Sequence, residues 1–165
     1  QVLRLAALDG RIERVRSSLD QGAAPDAVDP DGRTALMMAT YNGHTEAVTL
    51  LLDRGAKVEA VDLMGRTALM YAASGPFAAT VQLLMTRGAD PNVRDTDEGF
   101  TALMFAAAEG QVEVIKVLLS HGADVTIKDN DGDRALDFAV KNGHKIAAGL
   151  LKKEAELKPD SKNTP

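Results

Sequence analysis

At 165 residues, 45% of them apolar and 26% charged, the chain can bury a real core and lacks the bias of a disordered polymer, apart from its last dozen residues. Its 24 acidic and 19 basic residues leave a formal charge of −5, which disfavours nucleic acid, because phosphate binding needs concentrated Lys and Arg. The absence of cysteine excludes disulfides, thiolate metal sites and cysteine nucleophiles, and no apolar run of about 18 residues exists to span a membrane.

The chain starts at Gln1 without a charged-then-apolar leader, as expected of a trimmed chain or of a mature product whose signal is gone. A soluble protein is expected, cytoplasmic or exported. Residues 1–31 then form the faintest copy of a unit that becomes plain at Thr34-Ala35-Leu36-Met37. That string returns at Thr67-Ala68-Leu69-Met70 and at Thr101-Ala102-Leu103-Met104, steps of 33 and 34 residues. Gly22-Ala23, Gly55-Ala56, Gly88-Ala89 and Gly122-Ala123 keep the same period, and the extra residue falls in Asp95-Thr96-Asp97-Glu98-Gly99. A weaker copy opens at Arg134-Ala135-Leu136-Asp137. Self-similarity at this period marks a repeat array. Five units are expected, over 1–31, 32–64, 65–98, 99–131 and 132–156, as one domain spanning 1–156, with 157–165 a disordered tail.

Each unit reads as turn, helix, turn, helix. In the second, Leu36, Ala39 and Thr40 share one face of a short helix, and Asn42-Gly43 stops it with a left-handed cap. Ala47, Val48, Leu50, Leu51 and Leu52 give the next helix a broad apolar face, ended by Gly55-Ala56, and Asp62 and Gly65 mark the following turn. Pro76, directly after Gly75, falls between the third unit's helices and should tighten that turn. Helices of about ten residues are marginal alone in water. Their stability must come from stacking apolar faces on neighbouring copies, the logic of a solenoid. Terminal units need polar outer faces. Arg14, Ser17 and Ser18 stand at apolar positions of the other copies and read as an N-terminal cap; Asp137 and Lys152 read as a C-terminal one.

The period, the Gly-x-Thr-x-Leu start, the Ala-Ala or Ala-Thr pair, Asn-Gly-His, Leu-Leu and Gly-Ala-Asp together resemble the ankyrin repeat over about nine-tenths of the chain. The resemblance implies an all-α ankyrin-repeat solenoid of helix-turn-helix units joined by β-hairpin-like loops. The family's usual Thr-Pro-Leu-His is Thr-Ala-Leu-Met here, three times. Met in place of His is expected to act as an apolar filler of the seams between units.

No catalytic constellation appears, and no cofactor or metal is expected. His44, His121 and His144 fall on different units near helix ends and read as structural. Asp129-Asn130-Asp131-Gly132-Asp133 superficially resembles a calcium loop, but Arg134 and Val140 stand where the loop needs Gly and a bidentate Glu.

The resemblance further implies a concave binding surface lined by hairpin tips and first helices. In that register Leu8, Tyr41, Ser74, Ala108 and Lys141 form a first-helix column, and Arg33, Arg66, Phe100 and Asp133 a tip column. Tyr41 and Phe100 map to groove positions without a packing duty, whereas Tyr71, Phe105 and Phe138 share an offset with Leu5 and Met38 and read as half-buried core. Exposed aromatics and arginines carry most interface energy. The candidate partner-binding residues are therefore a centre of Tyr41, Arg66, Phe100 and Met64, with Arg33 in the same tip column. Around it Asp97, Glu98 and Asp133 should favour a basic partner. Phe77-Ala78-Ala79 marks a second apolar place on the outer face. The expected function is a monomeric protein–protein interaction module; the alternatives are a regulatory or inhibitory subunit of an enzyme and a small-ligand or metal-binding solenoid.

Overall fold

The computed structural model describes residues 1–157; the remainder of the tail expected from sequence, 158–165, lies outside the described residues. The helices are α1 (Val2–Leu8), α2 (Ile12–Asp20), α3 (Ala35–Tyr41), α4 (Thr45–Asp53), α5 (Ala68–Ala73), α6 (Ala78–Thr86), α7 (Ala102–Ala108), α8 (Val112–Ser120), α9 (Ala135–Lys141) and α10 (Lys145–Leu157). Odd-numbered helices pack on odd and even on even, so the chain builds two parallel layers of helices. Leu157, placed in the tail by the sequence, is the last residue of α10. The loops contribute an isolated antiparallel bridge, Val61 with Thr67, and no strand among the described residues, so the fold is an all-α solenoid.

The repeated threonine starts the first helix of each central unit. Thr34, Thr67 and Thr101 are extended N-caps whose hydroxyls accept the backbone N–H of Met37, Met70 and Met104 at 3.3, 3.4 and 3.4 Å. The methionines are more than filler. The backbone N–H groups of Thr34 and Thr101 donate to the sulfurs of Met37 and Met104 at 3.4 and 3.5 Å, closing a reciprocal capping box with a thioether acceptor. All three methionines are at most 2% exposed, so they cap and fill the seam together. In the last unit Asp137 replaces the methionine, and its carboxylate accepts the Arg134 N–H at 2.8 Å. The substitution that reads as a polar outer face therefore also caps a helix.

Second-layer helices bury one column of Leu51, Leu84, Leu118 and Leu151 and another of Val15, Val48, Val81 and Ile115, none more than 1% exposed. Each such side chain contributes about 1.5–3 kcal/mol of hydrophobic stabilisation. Small residues (Ala7, Ala39, Ala72, Ala73, Ala106, Ala107) fill the first-layer interfaces and let those helices approach closely.

Between the helices of a unit the chain turns through a glycine on which the next unit sits. Gly43 has φ +67° and a Cβ there would lie 2.1 Å from the Phe77 ring; at Gly10, φ +66°, it would lie 2.5 Å from the His44 ring. Phe77 thus occupies the place of His44 in the next unit, packed on Gly43 and Gly75, and is half-buried. This corrects the reading of Phe77 as an open apolar contact on the outer face. The histidines clamp units together. The Nε2–H of His44 and the side-chain amide of Asn42 both donate to the Leu8 carbonyl, at 3.0 and 2.8 Å, and His144 and Asn142 do the same to Ala108, at 2.9 and 2.8 Å.

Candidate partner-binding face

One aspartate organises each hairpin. Oδ1 of Asp29 accepts the N–H groups of Asp31 and Arg33, that of Asp62 those of Met64 and Arg66, and that of Asp129 those of Asp131 and Asp133, all within 3.0 Å. Asp95, in the longer loop, accepts three, from Glu98, Gly99 and Phe100. Successive hairpins then join through their backbones: Leu63 N–H to Asp31 at 3.0 Å, Thr96 N–H to Met64 at 2.8 Å, Asn130 N–H to Glu98 at 2.9 Å. The tips form one continuous hydrogen-bonded edge, which fixes what each tip side chain can reach.

Arg33 turns back onto its own hairpin, with its guanidinium 2.9 Å from Asp29 and 2.8 Å from Asp31. Burial works to raise the Asp29 pKa, but the Arg33 N–H, the Arg33 guanidinium and the Asp31 N–H outweigh it and hold the carboxyl below its ordinary range. Arg66, one unit on, cannot repeat that pairing. The second oxygen of Asp62 is taken by the Tyr71 hydroxyl, which donates to it at 2.7 Å. Burial and then the bond to Asp62 push the Tyr71 pKa well above that of a free phenol. Arg66 reaches instead to the next hairpin, 3.7 Å from Asp95 and 4.0 Å from Asp97, and lies over the Phe105 ring at 5.6 Å. Its Nε and the Asp95 Oδ2 are both buried, and neither has a hydrogen-bond partner.

Tyr41 is 55% exposed and meets Tyr71 edge-on, centroids 6.3 Å apart. It lines a cleft of about 760 Å³ together with the apolar Leu5, Leu8 and Met38, with Tyr71, and with Arg4, Arg33 and Arg66. The cleft is built by α1, α3, α5 and the hairpins before α3 and α5. Phe100 lies elsewhere. Its ring packs edge-on against Phe105 and Phe138, at 5.6 and 5.1 Å, so the expectation that Phe100 has no packing duty is corrected: it closes an aromatic cluster over α7 and α9. Met64 is 41% exposed on its hairpin beside Leu63, and does not line the cleft. Nor do Asp97, Glu98 or Asp133: the first two are exposed on the third hairpin, and Asp133 accepts a hydrogen bond from Lys141.

The structure therefore brings together Tyr41, Arg33 and Arg66 from the residues named by sequence, and separates Phe100, Met64 and the acidic tips from them. Arg4, Leu5, Met38 and Tyr71 are additions to the cleft. Their signal was the shared first-helix offset of Leu5, Met38 and Tyr71, which faces the tips rather than the interior. Among the described residues no group of three or more His, Asp or Glu side chains is placed to hold a metal ion, and no helix is long and apolar enough to cross a membrane. A search of curated proteins returned no match. The family model for ankyrin repeats, in its three-copy form, matches residues 3–95 and again residues 76–163. Family model, repeat spacing and two-layer stack agree: the chain belongs to the ankyrin repeat family.

Proposed function

We propose that this chain works as a protein-interaction module that takes its partner on the face made by the first helices and the hairpin tips, with the cleft around Tyr41 as the centre of contact. Binding other proteins is the general role of the family. The cleft is the observation that carries the reading. Its volume is within the range of sites that hold a side chain or small ligand, and its lining includes apolar side chains and a half-exposed aromatic. Arg33, Met64, Arg66, Phe100, Asp97, Glu98 and Asp133 then belong to a wider surface along the tips, of about 800 Å² for a standard interface. In this reading residues 1–156 act as one domain of five units, monomeric and without catalytic or cofactor groups of its own.

The test is capture from source lysate by the parent chain, by Tyr41→Ala and by Ile146→Ser. Ile146 is 75% exposed on α10, in the second layer of helices. A partner held by the parent and by Ile146→Ser, but lost from a Tyr41→Ala chain of unchanged helical signal, supports the first-helix face. Loss with Ile146→Ser and retention with Tyr41→Ala refutes it. An activity assay on any enzyme so captured separates an inhibitory subunit from a passive scaffold.

A further inference from the structure

The hydrogen-bonding capacity of the cleft is unevenly spent. Its nearby carboxylates are occupied: Asp29 takes two backbone N–H groups and the Arg33 guanidinium, Asp31 takes Arg33, and Asp62 takes two N–H groups and the Tyr71 hydroxyl. Two of its cations are only partly so. Arg4 gives one hydrogen bond, to the Ala27 carbonyl at 3.1 Å, and has no ion pair among the described residues. Arg66 lies over the Phe105 ring and approaches Asp95 and Asp97 loosely, with no hydrogen bond to either carboxylate. Both line the same cleft as the apolar Leu5, Leu8 and Met38.

A ligand for such a place must bring acceptors to the rim and an apolar group to the centre. Neutral carbonyls would satisfy the donors, but a carboxylate matches the planar fork of Arg and forms charge-assisted bonds about twice as strong as neutral ones. The apolar surface extends the requirement beyond a single side chain. Val28, Val61 and Leu63 are 54, 51 and 74% exposed on the hairpins beside the cleft, whereas the same columns carry Arg94, Lys128 and polar residues farther along.

We propose that the cleft receives an acidic peptide segment, an exposed stretch of a partner protein, that seats one large apolar side chain on Leu5, Met38 and Tyr41 and sets a flanking carboxylate on Arg4 and Arg66. This rests on the first-helix face being the binding face, and adds the chemistry of what binds there. It reverses the expectation of a basic partner drawn from Asp97, Glu98 and Asp133, none of which lines the cleft.

The experiment is selection of phage-displayed random dodecapeptides on the full chain, followed by affinity measurement of the enriched peptides on variants. Peptides enriched in Asp or Glu within a few residues of Leu, Phe or Trp are expected. They should bind about tenfold or more weakly to Tyr41→Ala and to Arg4→Glu, and gain affinity at low salt. Arg4→Gln, which keeps the side chain's bulk, guards against a folding defect and should weaken them in the same direction. Lys- and Arg-rich peptides that lose affinity with Asp97→Asn and Glu98→Gln overturn the proposal and leave the first-helix face standing. Peptides indifferent to Tyr41 and Arg4 but lost with Ile146→Ser overturn both. A selection that enriches nothing overturns the acidic segment as well.

Discussion

The two ends of the first-helix face are built on one backbone frame and differ in what fills it. At the N-terminal end the tip residues Arg33 and Arg66 reach to carboxylates, Arg33 of its own hairpin and Arg66 of the next, and Tyr41, Tyr71 and Met38 line a cleft. Farther along, the same tip position is Phe100, whose ring folds down on Phe105 and Phe138 instead of reaching for a carboxylate. A repeat array keeps its frame by stacking, so whether a groove is open is decided by single side chains at one column. The tip column differs in that way here: its arginines reach for carboxylates beside a cleft, and its phenylalanine packs on neighbouring rings.

The sharpest way to break this comparison is to remove the Phe100 ring. Phe100→Ala removes two edge-on ring contacts and a half-buried ring, and should cost about 2–3 kcal/mol. Tyr41→Ala, which loses one edge contact from a side chain 55% exposed, should cost about 1 kcal/mol or less. Urea or thermal unfolding of both variants reads the difference. Equal losses would mean that Tyr41 carries structural weight like Phe100, and that the two ends do not differ in this way.

The fold was legible because the period is. Thr34, Thr67 and Thr101, with the glycines between helices, repeat in register, and a short helix with that spacing has no other way to bury its face. Arg33, Arg66 and Tyr41 were legible as a surface for the same reason: a column that carries no core residue faces out. Alignment of copies says which residues share a column but not whether a long side chain lies across to its neighbour. That is why Phe100, in one column, gave no sign of meeting Phe105 and Phe138 in another. Phe77 shows the converse. It looked like an exposed apolar residue because its counterpart is His44, yet a histidine there is itself packed on the preceding glycine, and phenylalanine simply takes the seat. The sulfur caps of Met37 and Met104 escaped because methionine is read as an apolar filler, and its weak acceptor counts only where an N–H has no better one.

The open end also depends on a hydroxyl. Tyr71→Phe should leave the buried second oxygen of Asp62 without its donor and cost about 1–2 kcal/mol at neutral pH. The pH dependence fixes the assignment. Because the folded-state pKa of Tyr71 lies above that of the unfolded chain, its contribution is fully present below about pH 10. It is lost as pH climbs from there through the folded value. The parent's advantage over Tyr71→Phe should therefore be constant from pH 7 to about 9.5 and shrink above it. Urea midpoints measured across that range check this. A gap that does not change with alkalinity would show that the Tyr71–Asp62 bond is not what separates the two proteins.

The converse exchange is the smallest effect and the most discriminating. Phe105 stands in the register of Tyr71, and Asp95 in that of Asp62, but Phe105 has no hydroxyl, and the second oxygen of Asp95 is left facing Arg66 at 3.7 Å. Phe105→Tyr offers that buried oxygen the donor it lacks, and should raise stability by up to about 1 kcal/mol. With Asp95 satisfied, Arg66 is released toward the cleft, so an acidic peptide bound there should gain affinity by a small factor. A lower midpoint would mean that the longer hairpin, with its extra residue between Asp95 and Thr101, has moved the carboxylate out of reach of the ring and left no room for the oxygen. Arg66 would then be the permanent partner of Asp95, and its donors would be unavailable to any segment in the cleft. One substitution at the Phe100 end thus decides whether the arginine at the boundary belongs to the fold or to the cleft.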